Sequence, residues 1–238
     1  MKIVIAHLYY DLLNLYGESG NVKALKKYLE NQGIEVVIEN KSVNEKLEFN
    51  KYDFVYIGAG TENNLSIALN HLKEYEDDIK EYIKKDKFML ITGTAIELFG
   101  KSIEDDETTI EGLKIFDYEI KREQKRLVCE SVLRSNIYDF DIIGFQNRCG
   151  LMYANKHQAF EVLKGYAENM NSDEEGVQYK NVLATYIVGP LLARNPMLLN
   201  KICEELILSK DKKFKIKEID MTLEIEAYEF DKNRYMNK

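Results

Sequence analysis

An α/β fold on a mainly parallel sheet with added antiparallel strands is what the sequence predicts, from three observations. In the first half, short apolar runs alternate with segments of helical periodicity. Each of several runs ends in a loop of small or polar residues just ahead of a helix pattern, so the strands' carboxyl ends should share one rim. The second half is richer in strands that alternate apolar and charged residues, as antiparallel or edge strands do. With 238 residues and 45% apolar content the chain can bury a real core, and one domain over residues 1–238 is expected.

The elements follow in order. Residues 2–6 read as a first strand with His7 at its end, and YYDLLNLY leads to a break at Gly17, Glu18, Ser19 and Gly20. Val22, Leu25, Tyr28 and Leu29 mark one face of a helix that Gly33 stops. Residues 34–38 and 54–58 are the next strands, the latter running into the glycine loop Gly58, Ala59, Gly60, where backbone amides can approach a bound group. Leu65, Leu69, Leu72, Ile79 and Ile83 predict one long amphipathic helix, with His71 exposed on it. Residues 88–100, FMLITGTAIELFG, form a buried strand turning directly into an apolar helix at Gly93. Such a turn presents a nucleophile or cradles an anion, and its central residue adopts positive φ, which glycine takes without cost. An elbow without a reactive side chain fits this stretch, as does a plain strand-to-helix turn.

Further on, residues 113–120, 127–133 and 142–146 read as strands, 171–176 as a polar loop, and 182–187 as a last buried strand. Asn195 is expected to cap a helix that has Pro196 at its first position and Leu199, Ile202, Cys203 and Leu206 on its buried stripe, and a final helix is expected over about 222–230.

Composition narrows function. A formal charge of −8 with scattered lysines provides no basic stripe for nucleic acid or anionic membrane. The N-terminal apolar run is too short for a signal peptide or a membrane span. Cys129, Cys149 and Cys203 show no CxxC spacing, which argues against a disulfide framework or a metal site and fits a reducing cytoplasm. No metal or cofactor is expected.

Five segments carry a resemblance: LYYDLLNLYGESGN (8–21), YIGAG (56–60), GFQNRCG (144–150), EGVQYKNVLATYIVGPLLARNP (175–196) and, loosely, the last helix. In this order they resemble the CobB/CobQ-type branch of the class I glutamine amidotransferases, most closely the GatD group, the glutaminase subunits of lipid II isoglutaminyl synthase. The resemblance implies a flavodoxin-like three-layer sandwich. It also implies an elbow cysteine that attacks glutamine, a histidine base after the last strand, and an oxyanion stabilised by amides of the glycine loop.

This chain departs from that pattern. The family's ICGGYQLLG corresponds to TGTAIELFG, placing Gly93 at the cysteine, or Thr92 if the register slips by one. TYLHGPLL corresponds to residues 185–192, with Val188 at the histidine, and in GFENHSG the positions of His and Ser are held by Arg148 and Cys149. Nucleophile and base act as a unit, so the resemblance implies a catalytically degenerate protein that serves as a binding or partner subunit, docking on a Mur-ligase-like synthetase. The alternative is a glutamine-hydrolysing subunit that supplies ammonia to such a synthetase in lipid II amidation through a non-standard nucleophile, for which Thr92, Thr94 and Cys149 are the weak candidates.

Gly58, Ala59, Gly60, Arg126 and Arg148 remain as candidates for binding glutamine or another carboxylate ligand. Arg126 matches the family's glutamine-holding arginine, and it reads equally as a solvated strand residue. Cys149 reads as a structural thiol or a substitute nucleophile, while Cys129 and Cys203 read as core. His7 is the histidine able to approach the rim, and His157 falls in a polar surface stretch. Gly58 to Gly60, Gly93, Arg126, Arg148 and Val188 are expected to meet in one concavity.

Overall fold

The computed structural model describes residues 1–237. Among the described residues eleven strands form one sheet: β1 (Lys2–Leu8), β2 (Glu35–Lys41), β3 (Phe54–Ile57), β4 (Phe88–Thr92), β5 (Ser102–Asp105), β6 (Thr108–Glu111), β7 (Glu119–Ser135), β8 (Asp141–Tyr153), β9 (Gln158–Lys164), β10 (Glu174–Tyr179) and β11 (Val182–Thr185). Their order is β2-β1-β3-β4-β11-β10-β9-β7-β5-β6, with β8 paired to β7 outside that path. From β2 to β11 every pairing is parallel, and the path reverses direction between β1 and β3, as in flavodoxin-like sheets. Beyond β11 the pairings are antiparallel except β5 with β7.

Alternation along the central strands builds the layers. Val55, Ile57, Met89 and Ile91 face α2 (Glu62–Leu72) and α3 (Glu76–Lys84). Phe54, Tyr56, Phe88 and Leu90 face α1 (Ser19–Asn31) and, after the short α4 (Leu191–Arg194), α5 (Pro196–Lys210). Buried on both sides, β3 and β4 are apolar at nearly every position, which is why they read as uninterrupted runs. A last helix, α6 (Thr222–Met236), packs on β7 and β8. No helix among the described residues is long and apolar enough to cross a membrane.

Several expectations need correction. The long helix over Leu65 to Ile83 is two helices, broken by a 3₁₀ turn at Lys73–Tyr75. His71 is half-buried rather than exposed, its Nδ1 3.0 Å from the Tyr9 hydroxyl. Residues 113–118 form a loop instead of a strand, because their amides bond the carbonyls of Leu98, Phe99 and Gly100. A strand begins at Glu174, inside the expected polar loop. Asn195 does not cap α5 with its side chain, which instead bonds both the N–H and the C=O of Ile143 at 2.8 Å. His157 is half-buried against Tyr179 and Phe116, and Cys129 is half-buried with its sulfur 3.4 Å from the Ser131 hydroxyl. Cys203 is core, as expected.

Candidate functional site

The carboxyl ends of β1, β3, β4 and β11 lead into residues 9–18, the glycine loop, the elbow and residues 186–190. At the elbow, Thr92 is extended (φ −121°, ψ 151°) and Gly93 has φ +61°, opening a 3₁₀ helix, Gly93–Phe99. The left-handed position therefore falls on Gly93 and not on Thr92. Its Cβ direction is already occupied: an atom there would lie 2.5 Å from Val188 Cγ1 and 2.6 Å from Ala59 Cβ, far inside ordinary carbon contact. Three segments remote in sequence thus meet at one point, held in part by the Val188 N–H donating 2.8 Å to the Phe145 carbonyl of β8.

These residues are packed against one another and away from solvent. Gly58, Ala59, Gly60, Gly93 and Val188 are all buried. The segment after β1 lies over the glycine loop: the Leu15 N–H donates to the Ala59 carbonyl at 3.0 Å, and the Leu13 side chain and carbonyl fill the Cβ directions of Gly60 and Gly58. Tyr9 and Tyr16, near the ends of this segment, both have positive φ, a strained geometry that the surrounding packing holds. The glycine-loop amide of Gly60 donates to Thr94 Oγ1 at 3.2 Å, and that hydroxyl donates to the Gly60 carbonyl at 2.9 Å.

Beneath the elbow lies a residue that the sequence reading passed over. Glu18, fully buried at the start of α1, accepts the hydroxyls of Tyr56 (2.7 Å) and Thr92 and the N–H of Gly189 (2.8 Å). Tyr56 also accepts from Asn21 Nδ2 at 2.8 Å, and Asn21 Oδ1 accepts the Leu192 N–H at 2.7 Å. Burial raises the Glu18 pKa above the ordinary carboxyl value, and its three donors pull the other way. The signal for it was a lone acid between two glycines in a loop read as a break. His7 is buried with its ring 5.2 Å from that of Tyr56, and burial lowers its pKa to about 4, so it reaches this network as a neutral ring.

The two arginines separate. Arg126, 44% exposed, pairs with Glu62 at 2.7 Å and donates to Asn147 Oδ1 at 3.2 Å. Beside it the Cys149 sulfur lies 3.7 Å from the same Glu62 oxygen, and burial followed by the Glu97 and Glu62 charges pushes the thiol up to about 11. Arg148 points to the opposite face of β8 and is fully buried, with all three nitrogens engaged, by Gln146 Oε1 (3.0 Å) and the carbonyls of Gly150 and Ala167. Its guanidinium sits 4.1 Å over the Tyr186 ring. The expected convergence thus holds for Gly93, Ala59 and Val188, places Arg126 at the outer edge of the glycine loop, and leaves Arg148 out.

Comparison with known proteins adds a family. Residues 4–196 match a family model described as a CobB/CobQ-like glutamine amidotransferase domain. A protein named lipid II isoglutaminyl synthase (glutamine-hydrolyzing) subunit GatD, from Staphylococcus aureus, is 31% identical over 227 residues, covering 95% of this chain and 93% of the relative. The protein of the same name from Streptococcus pneumoniae is 31% identical over 201 residues, covering 83% and 77%. Among solved structures, a glutamine amidotransferase from Thermotoga maritima aligns with a TM-score of 0.50 at 12% identity, covering 99% of this chain and 94% of the other. Another glutamine amidotransferase aligns at 0.56 and 16% identity, covering 85% and 97%. Likeness at these identities speaks for the fold alone.

Proposed function

The chain belongs to the CobB/CobQ-like glutamine amidotransferase family, and from that premise we propose that it is a degenerate member, one amidotransferase-like domain that hydrolyses no glutamine and acts as a binding or partner subunit. The observation that carries the proposal is the filled elbow. Gly93 holds the left-handed position and has no side chain, and Val188 and Ala59 occupy the space that one would need. Val188 can neither take nor give a proton, so the thiolate route lacks both of its members.

A glutaminase with a relocated nucleophile has less behind it. Cys149 is held as a thiol and has a carboxylate, not an imidazole, beside it. Thr94 is bonded twice to Gly60, and Thr92, though its hydroxyl meets a carboxylate, is buried with it. A carboxylate ligand at Arg126 would have to displace Glu62. The partner reading draws on the two relatives, each named as a subunit of a synthase. We take the partner to be a Mur-ligase-like synthetase in the cytoplasm, with lipid II amidation as the setting.

The test is glutamate release from glutamine by the purified chain, alone and mixed with the synthetase. No release above background is expected in either case. Release that scales with protein concentration would overturn the proposal, and its loss in Cys149→Ser or Thr92→Val would locate the nucleophile.

A further inference from the structure

One edge of the sheet is long, regular and open. β2 runs seven residues in unbroken register with β1 and contains no proline, glycine or bulge, while β6, at the far end of the sheet, has four residues. The Glu35 N–H donates to the Met1 carbonyl and the Lys41 carbonyl accepts from the Tyr9 N–H, so the odd-numbered residues turn their backbone groups toward β1. Val36, Ile38 and Asn40 turn theirs outward, and among the described residues no hydrogen bond engages those outward groups. Edges are commonly blunted by short length, central lysines, proline or a bulge, whereas β2 carries Val36, Val37 and Ile38 through its middle, all half-buried.

The strand's own charges select what pairs there. Two copies related by a two-fold axis add β2 to β2 in antiparallel fashion, and an axis at Ile38 sets the whole strand opposite itself. Ile38 then exchanges both backbone bonds with Ile38 of the second copy, and Val36 does so with Asn40, about six bonds in all. Between these pairs Glu35 lies opposite Lys41 of the second copy, once at each end, and Glu39 lies opposite Val37. An axis at Val37 sets Glu35 against Glu39, one at Glu39 sets that acid against itself, and axes at Val36 or Asn40 leave only three residues overlapping. A single register therefore satisfies every outward group and opposes unlike charges.

We infer that β2 is the docking edge for a second copy of this chain, so that the sheet continues from one molecule into the next. The inference stands apart from the partner-subunit reading above. Glu35 and Lys41 now pair with Lys2 at 3.7 Å and with Glu39 at 3.6 Å, both beyond hydrogen-bond distance, and such loose pairs cost little to rearrange. Repulsion between two chains that each carry −8 fades within about 8 Å at physiological salt, so the contacts along the edge outweigh it. On the face toward α1, the half-buried Ile38 gains Ile38 of the second copy as a neighbour.

The test is sedimentation equilibrium of the purified full chain from about 5 to about 200 μM, where a monomer–dimer equilibrium is expected. Lys41→Glu places an acid opposite Glu35 at both ends and should weaken the dimer by about tenfold or more. Adding Glu35→Lys to it restores unlike charges across the axis and should return the affinity to within about threefold of wild type. Asn40→Pro deletes an outward N–H at a place where an edge strand tolerates proline, and it should weaken the dimer as well. Far-UV circular dichroism checks that each variant is folded. A wild-type chain that is monomeric throughout overturns the inference, as does a dimer indifferent to both Lys41→Glu and Asn40→Pro. A charge swap that fails to rescue would refute the antiparallel register and the inference with it. A monomeric wild-type chain that binds the synthetase, and loses it in Asn40→Pro, would give the edge to that subunit and equally overturn the inference.

Discussion

Replacing Gly93 by cysteine gives back the atom type that the family's chemistry uses, and the structure predicts that the protein resists it. A side chain at φ +61° costs about 1–2 kcal/mol relative to glycine. The new Cβ would then meet Val188 Cγ1 at 2.5 Å and Ala59 Cβ at 2.6 Å, and overpacking of this kind costs about 1–3 kcal/mol more. The sum, about 2–5 kcal/mol, corresponds to a melting point lowered by roughly 5–15 °C in a chain of this size. Ala59→Gly removes one of the two contacts, while Val188→His trades a methyl for a larger ring and leaves the left-handed strain in place, so the triple variant Ala59→Gly, Gly93→Cys, Val188→His should recover only part of the lost stability. Only that triple, and not the Cys/His pair alone, is expected to show any glutamine turnover. Thermal melts of the single, double and triple variants check the first part, and glutamate release the second. A Gly93→Cys protein that melts within about 1 °C of wild type would refute the packing account of the elbow.

Three further outcomes follow. Arg148→Ala should destabilise by about 3–5 kcal/mol in urea unfolding, because it leaves the Gln146, Gly150 and Ala167 acceptors without their donor and empties a fully buried site over the Tyr186 ring. Cys149 should react with iodoacetamide about a hundredfold more slowly than a thiol at the usual value of 9, since its thiolate fraction falls with the rise to about 11; quantitative labelling against the unfolded chain measures this. Glu175, raised from 4.5 to about 7 by burial, stays protonated longer in the folded chain, so its contribution falls by about 3 kcal/mol between pH 4.5 and 7. His7, lowered from 6.5 to about 4 by burial, contributes stability that is complete above pH 6.5 and lost by a similar amount on descending to pH 4. The two nearly cancel, so Glu175→Gln should unmask a stability that rises with pH across this window and His7→Gln one that falls, both read from denaturation midpoints.

The parts legible in the sequence were those governed by burial on two faces. β3 and β4 are apolar at nearly every residue because helices cover both sides of them, and Gly93 announced the elbow because its backbone geometry excludes most side chains. Motif correspondence brought Val188 to Gly93 across 95 residues, and the Cβ contact agrees with it. Other features were illegible for physical reasons. Arg148 and Cys149 are neighbours in one motif, yet strand alternation sends them to opposite faces, and only the register of β8 on β7 decides which one is buried. Glu175 reads as a surface acid, and its burial depends on Thr185 and the amide of Tyr186, which the β10–β11 pairing places against it.

Glu18 connects the closed elbow to the rest of the rim. A buried carboxylate held by three donors, with no cation beside it among the described residues, is expensive to desolvate, and its raised pKa expresses that cost. In return one side chain ties the start of α1 to β3 through Tyr56, to β4 through Thr92 and to the loop after β11 through Gly189. These are the strand ends and loops from which Ala59, Gly93 and Val188 extend, so the network sets how closely those three approach one another. The closure at Gly93 is thus a property of the whole rim, sealed from above by Leu13 and braced from below by Glu18, rather than of two missing side chains. For that reason a side chain restored at Gly93 must displace packing that several segments hold together.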